Sequence, residues 1–303
     1  MSRTYVPYIA ALSLLWGASY MFIKVAIRGF EPTAMIMFRL VIASAVLLAL
    51  LIAQRGGRRA IADMRRLGWQ GFGLGVANGA IPFTLIAWGE KHIDSGVAAI
   101  ANASVPIFVA LLALRWQTSE RVRGARLGGV LLGLVGVGVL AGIHPEGGWW
   151  GAAGTFAVVL ASVSYAASSL WGQRLVAGAS GLALATVAMI GGLIALLPFG
   201  LLQLPSHVPG WKETGSLVAL AVLGTAVAQI ILFRVLRSDG AARVSLVTYL
   251  LPVTALFYGV TLLGEPLTVE ELVGMILILG GVAFGSGAVR LPRREPAPAA
   301  PAP

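Results

Sequence analysis

The chain has 303 residues, of which 58% are hydrophobic and only 11% are charged, and its mean hydropathy is +0.88. Soluble domains carry about 25% charged residues, so this chain lacks the side chains that a water-exposed surface requires. The composition therefore excludes an ordinary soluble protein and predicts an all-α polytopic membrane protein. The chain has no cysteine, which excludes disulfides and thiol ligands.

Ten apolar stretches follow one another along the chain, and each is long enough to cross the hydrocarbon core as a helix of about 20 residues. They are predicted at 5–27, 33–53, 67–87, 95–114, 125–143, 150–173, 180–200, 215–236, 241–263 and 269–288. The first stretch exceeds the apolar core of a signal peptide, so we expect it to be retained. The basic, Pro- and Ala-rich segment 290–303 is predicted to be a disordered cytoplasmic tail.

The last five stretches repeat the first five. The matching pairs are Pro106 with Pro252, Glu120 with Glu265, and Gly136 with Gly281, at offsets of 145 or 146 residues. Because five is an odd number, the second set enters the membrane from the opposite side, which is the inverted-repeat architecture of secondary transporters. We therefore predict one repeat at 1–143 and an inverted repeat at 144–289.

The net charge of +10 is explained by topology. With the N-terminus in the cytoplasm, 17 of the 22 Lys and Arg residues fall in inner loops and three in outer loops, while Lys24 and Arg39 lie within spans. This bias satisfies the positive-inside rule and places both termini in the cytoplasm. The basic residues thus indicate contact with membrane lipids rather than nucleic acid. We expect a multi-pass protein of the bacterial plasma (inner) membrane.

Short motifs in four places resemble those of one transporter family. They are Leu15-Trp16-Gly17-Ala18-Ser19, Phe38-Arg39-Leu40, the segment 98–106, and Gly264-Glu265-Pro266-Leu267-Thr268. Together with two five-span halves, they resemble the EamA family of the drug/metabolite transporter superfamily over about residues 8–288. The resemblance implies a small-solute carrier, often an exporter of amino acids or other metabolites. The length and the Trp-rich start are similar to bacterial exporters of aromatic and hydrophobic amino acids.

Polar and aromatic side chains within spans 1, 3, 4, 6, 8 and 9 are candidates for a central substrate cavity, because polar groups in hydrocarbon need partners or water. They are Ser13, Trp16, Tyr20, Asn78, Asn102, Tyr165, Ser169, Thr225, Gln229, Thr248 and Tyr249. Their amides suit an amino or carboxylate group, and their aromatic rings suit an apolar wall or an ammonium group. The alternative for each is structural, since hydroxyls often bind their own helix and tryptophans often only pack.

Three further span residues have two interpretations each. Pro106 and Pro252 occupy equivalent positions and remove backbone donors, so they are predicted as paired hinges or, alternatively, as static kinks. Arg39 lies about 9 Å below the outer end of span 2. It is predicted to bind backbone carbonyls or an outer acid such as Glu90 or Asp94. This contact is either a gate or a structural tie, and the position of Arg39 favours the structural tie.

The sequence shows no arrangement typical of an enzyme or a cofactor site. The three histidines are not paired at helical spacing, so no metal is expected, and no Walker sequence is present, so ATP is not expected. Glu270 and Glu271 lie at the outer end of the tenth predicted span, and no Asp or Glu lies deeper in any span, which favours facilitated export over proton coupling. The predicted function is an alternating-access exporter of amino acids, acting as a monomer or homodimer. The alternatives are a proton-coupled exporter of drugs or other metabolites, or a channel.

Overall fold

The computed structural model describes residues 5–116, 125–142, 148–176, 180–239, 241–244 and 246–285, and within these ranges the chain forms helices and no strands. The α-helices are α1 (Val6–Ala26), α2 (Pro32–Arg55), α3 (Gly57–Gly75), α4 (Ile81–Gly89), α5 (Ser95–Asn102), α6 (Val105–Trp116), α7 (Ala125–Gly142), α8 (Trp149–Val176), α9 (Gly181–Leu202), α10 (Trp211–Ala221), α11 (Ala228–Asp239), α12 (Ala241–Val244), α13 (Leu246–Tyr258) and α14 (Val269–Gly285). Segment 290–303 lies outside the described residues.

Eight helical stretches in the described ranges are long and apolar enough to cross a membrane, and they coincide with predicted spans 1–4 and 6–9. The other two predicted spans correspond to α7 and α14, whose described apolar segments are shorter. The all-helical, multi-pass architecture is therefore confirmed. The count of ten spans and the cytoplasmic placement of both termini stay predictions.

Helices α7 and α14, the last spans of the two predicted repeats, pack against each other through glycine. A Cβ atom on Gly281 would lie 2.5 Å from the Gly133 nitrogen and 2.6 Å from the Gly129 oxygen. On the other side of this contact, a Cβ atom on Gly136 would meet Leu277 and Ile278. Small residues let two backbones approach closely in a membrane, which explains the glycine-rich runs in these helices.

Two π-helical segments interrupt predicted spans 3 and 8 at equivalent places. Val76–Ala80 joins α3 to α4, and Val222–Val227 joins α10 to α11. Their first residues lie 146 residues apart, which is the offset that separates Pro106 from Pro252. The same helix irregularity thus occurs in both halves, as expected for a structural repeat. Such π segments expose backbone groups and occur often at functional sites.

Residues 57–66, predicted to lie in the connection between spans 2 and 3, are helical instead. They form the first part of α3, before Gly68, whose positive φ of 44° bends the helix where other residues would be strained. Ala60 and Leu67 are buried, whereas Arg58, Arg59, Arg65 and Arg66 are exposed. This division gives an amphipathic helix, which suits a position along the membrane surface.

Candidate functional site

Asn102 joins the two predicted repeats in the middle of the bundle. Its Nδ2 donates a hydrogen bond of 2.8 Å to the Tyr20 hydroxyl on α1, and its Oδ1 accepts one of 3.1 Å from Ser162 on α8. The span breaks directly after Asn102, because proline at position 106 lacks the N–H that would bond the Asn102 carbonyl. The break places an amide side chain beside irregular backbone, and the cavity role of Asn102 and Tyr20 stays a prediction.

A second amide lies on the first π segment. Asn78 Oδ1 accepts a hydrogen bond of 3.2 Å from Ser168, and the neighbouring Ala77 carbonyl accepts one of 2.7 Å from Ser164. Both serines lie on α8, two and six residues beyond Ser162. Among the described residues, none accepts a hydrogen bond from Asn78 Nδ2. This side of α8 thus carries two amide clusters, with Asn102 at one end and Asn78 at the other.

Arg39 is buried between these clusters and the second half of the bundle, with 4% exposure. Its Nε donates to the Thr225 hydroxyl at 2.9 Å, and its guanidinium carbon lies 3.7 Å from the centre of the Phe83 ring. It also interacts electrostatically with Tyr20 and Tyr165. No carboxylate lies within ion-pair distance of Arg39 in the part of the chain that the structure describes. The hydrogen-bond partner of Arg39 is therefore a hydroxyl, while Glu90, one of the two predicted outer acids, interacts with it electrostatically without forming an ion pair. The role of Arg39 as a gate or a structural tie stays a prediction.

The residues Tyr20, Arg39, Asn78, Asn102 and Tyr165 come together with Phe83, and we call these six residues the central cluster. Tyr165 meets Phe83 with its ring centre 6.4 Å away in an edge-to-face contact. The cluster collects side chains from α1, α2, the first π segment, α4, α5 and α8. It holds one cation, two amides and three aromatic rings, which is a suitable set of groups for a small zwitterion with an apolar side chain.

Several predicted cavity residues lie outside the central cluster. Trp16 packs into an apolar cluster of α1, α11 and α13, and Tyr249 packs into another that includes α5, α6, α7 and α14. Ser13 donates to the Ile9 carbonyl of its own helix, which is the structural alternative for a serine. Ser169 is exposed, and the hydroxyl that reaches Asn78 belongs to Ser168 instead. Gln229 and Thr248 are half-buried, and their place in the cavity stays a prediction.

The two predicted hinge prolines have different surroundings. Pro106 is the second residue of α6, directly after the break at residues 103–104. Pro252 lies inside the continuous helix α13. Pro106 and Pro252 match in the sequence. Among the described residues, however, a helix break lies beside the proline only in the first repeat. The hinge role of both residues stays a prediction.

One end of the bundle is closed by polar contacts between chain segments, and we call it the Lys24 end. The Lys24 ammonium donates to the carbonyl oxygens of Glu90 at 2.9 Å and Ile93 at 2.7 Å, and it lies 3.7 Å from Asp94. Lysine can carry its charge to the end of a span while its stem stays in apolar surroundings. These contacts join α1 to the connection between α4 and α5.

Glu265 makes the second closing contact at the Lys24 end. Its carboxylate accepts bonds from the Ser95 backbone nitrogen at 3.0 Å, the Ser95 hydroxyl at 2.6 Å and the Gly96 nitrogen at 3.4 Å. It thereby binds the free N–H groups at the start of α5, where a negative charge is favourable. Glu265, from the second predicted repeat, thus binds α5, the helix of the first repeat that ends at Asn102.

Glu90, predicted to lie in an outer loop, is fully buried directly after α4. Its place between α4 and α5 agrees with a loop, but its burial was not predicted from the sequence. The physical cause is a close approach of two glycines, since a Cβ atom on Gly89 would lie 2.8 Å from the Gly154 oxygen. This contact draws the end of α4 against α8. In the sequence, the only sign of this burial is that Glu90 directly follows the apolar run that ends at Gly89.

Comparison with known proteins gives a consistent result. The EamA-like transporter family model matches residues 3–142 and 152–286. An uncharacterized transporter of Archaeoglobus fulgidus is 27% identical over 274 residues, covering 90% of this chain and 95% of that protein. The uncharacterized inner membrane transporter YedA of Escherichia coli K12 is 27% identical, covering 90% of this chain and 88% of that protein.

A third relative has a more specific name, and a solved structure shares the fold. A probable terminal-alkyne amino-acid exporter of Streptantibioticus cattleyicolor is 29% identical, and the match covers 88% of each chain. One crystal structure superimposes with a TM-score of 0.68 at 20% identity, covering 95% of this chain and 99% of the other. This protein is thus a multi-pass membrane transporter of small molecules, and it belongs to the EamA-like transporter family of the drug/metabolite transporter superfamily.

Proposed function

We propose that the protein is an alternating-access carrier that exports amino acids, including aromatic and hydrophobic ones, and that the substrate binds in the central cluster. The observation that carries this proposal is Arg39. A buried guanidinium without a carboxylate partner has a high desolvation cost, which an anionic ligand would reduce. A planar guanidinium binds a carboxylate through two parallel hydrogen bonds, so the α-carboxylate of an amino acid fits this position.

The other groups of the central cluster suit the rest of an amino acid. The free Nδ2 of Asn78 offers a further donor to a carboxylate oxygen, and the rings of Tyr20, Phe83 and Tyr165 offer apolar walls to a side chain. The amino-acid exporter among the relatives supports the same substrate class. An amino acid is small enough to be enclosed by groups from six chain segments.

The orientation of the carrier follows from the charges of its loops. With both termini in the cytoplasm, the Lys24 end faces outward, and the contacts of Lys24 and Glu265 form the outer gate. Inverted repeats can expose a central site to either side by moving one half against the other. Release of the outer gate would then open the central cluster to the exterior.

The test is counterflow in liposomes. Purified protein is reconstituted, the vesicles are loaded with unlabelled common amino acids, and labelled amino acids are added outside without an ion gradient. We expect saturable uptake that depends on the internal load, since a carrier exchanges substrates one for one. Uptake that neither saturates nor needs the load would indicate a channel, and no uptake would exclude amino acids as substrates.

The outer gate gives a prediction of its own. Glu265→Gln keeps the size of the side chain but removes the charge that binds the start of α5, and charge-assisted hydrogen bonds contribute about 1.5–3 kcal/mol. We expect counterflow to fall about tenfold, because the closed outer state is needed in each cycle. The matched control is Glu270→Gln, an exposed acid nearby in the first turn of α14. Equal rates for the two variants would remove Glu265 from the gate.

A further inference from the structure

Glu90 is not part of the central cluster, yet its surroundings are unusual. Its side chain has 0% exposure, and neither carboxyl oxygen has a hydrogen-bond partner among the described residues. An ionised carboxylate in such a place has a large desolvation cost, whereas the protonated form has a much smaller one. Unpaired carboxyl groups that are buried inside membrane proteins are typical proton-binding groups.

The charged groups around Glu90 connect the outer gate with the central cluster. Lys24 on α1, Glu265 before α14, Arg39 on α2 and Asp94 in the adjoining loop all interact electrostatically with it, as does the Tyr20 hydroxyl. Lys24 binds the backbone carbonyl of Glu90, so its ammonium stabilises the chain there without a hydrogen bond to the carboxyl group. Glu90 is therefore positioned to respond both to the gate and to the occupant of the cluster.

We propose that Glu90 is a proton-binding site and that its proton is exchanged for the ammonium group of the substrate. This inference rests on the proposed function, in which Arg39 binds the substrate carboxylate. When the cluster is empty, Glu90 holds a proton. When a zwitterion binds, its ammonium group replaces that proton as the cation at the carboxylate, and the proton passes to water on the side to which the site is open.

The exchange makes the carrier a one-for-one antiporter of protons and substrate. A proton entering from outside would return Glu90 to its neutral form and drive the export of one substrate molecule. A gradient of one pH unit corresponds to about 1.4 kcal/mol per proton, so the substrate would accumulate about tenfold in the more acidic compartment.

The experiment uses vesicles whose interior is one pH unit more acidic than the medium, with the same labelled amino acids outside and the membrane potential clamped. We expect the unmodified protein to accumulate label about tenfold and Glu270→Gln to behave alike. Glu90→Gln can neither exchange a proton nor pair with the substrate ammonium, so we expect its accumulation to be lost and its counterflow to fall as well. Its thermal unfolding midpoint in detergent shows whether this variant is folded, and proton release on substrate binding by the unmodified protein separates proton exchange from a loss of ammonium binding alone.

The outcomes separate this inference from the proposed function. Absence of counterflow in the unmodified protein would contradict the proposed function itself. Counterflow without gradient-driven accumulation, or accumulation by Glu90→Gln, would overturn the role of Glu90 alone. Should Glu90→Gln not fold, a pH-sensitive dye can follow the purified unmodified protein in weak buffer on addition of amino acids. Release of about one proton per bound substrate supports the exchange, and no release overturns it.

Discussion

Asn102→Leu is expected to reduce counterflow about thirtyfold. Leucine has the same branching and the same number of side-chain heavy atoms as asparagine, but it removes the acceptor of Ser162 and the donor to Tyr20 at once. Loss of a buried hydrogen-bond partner costs about 1–3 kcal/mol, and two such losses of about 1 kcal/mol each correspond to about thirtyfold in rate or affinity. Because Asn102 links the two predicted repeats, both the site and its closure are affected.

The control for this variant is Ser104→Ala. Ser104 is also buried and lies two residues further along, but its hydroxyl only donates to the Ala101 carbonyl of the same chain segment. We expect this variant to transport within about twofold of the unmodified protein, because its lost hydrogen bond is local. Equal transport by Asn102→Leu and Ser104→Ala, measured at matched amounts of folded protein, would show that the Asn102 amide has no role in binding or closure.

Gly75→Ala is expected to lower the free energy of unfolding by about 3 kcal/mol, the largest effect on stability that we predict. A Cβ atom at this position would meet the Ala188 carbonyl oxygen and lie 2.6 Å from the Gly192 nitrogen. Both atoms belong to the backbone of α9, which cannot move aside as a flexible side chain can. The contact between α3 and α9 would have to open, and with it the support of the first π segment.

The measurement is thermal unfolding of purified protein in detergent. We expect the midpoint for Gly75→Ala to fall by roughly 5 °C or more. The matched control is Gly215→Ala, since Gly215 lies in helix α10 and a Cβ atom there would meet nothing within 4 Å. Alanine is the better helix former, so this control is expected to be neutral or slightly more stable. A Gly75→Ala midpoint equal to that of the control would contradict the close α3–α9 contact.

The helices were predictable because lipid leaves the backbone few choices. A chain segment in hydrocarbon must satisfy its own hydrogen bonds, so each long apolar run becomes a helix. The same reasoning did not predict a helix at residues 57–66, where charged residues interrupt the apolar ones and Ala60 is buried. The two π segments also follow the offset between the repeats, although no residue pattern in the sequence predicted a π segment at either place.

The central cluster was predictable only in part. Asn78, Asn102, Tyr20 and Tyr165 were identified because polar groups inside a span need partners. Helical spacing tells which side chains share a face, but it does not tell which neighbour that face meets. Trp16 illustrates this limit, since it packs with α11 and α13 rather than in the cluster.

Two charged residues show what hydropathy leaves open. Hydropathy alone favours a structural role for Arg39, because a charge in a span is usually tied to the nearest polar groups. It places Glu90 in a loop, where the structure has it, but it does not predict that this loop residue is buried. The contact between Gly89 and Gly154 that buries Glu90 involves residues 65 positions apart, and no local pattern reveals it.

The most direct test of the account is the reactivity of one thiol in the substrate site. The chain has no cysteine, so Ser164→Cys would introduce a single thiol between the serines that bind Asn102 and Asn78. We predict that common amino acids slow its reaction with a maleimide at least about threefold, the effect of occupying about two thirds of the sites. Glu270→Cys, at the exposed start of α14, should react equally fast with and without substrate. Unchanged labelling of Ser164→Cys under conditions that support counterflow would contradict the placement of the substrate in the central cluster.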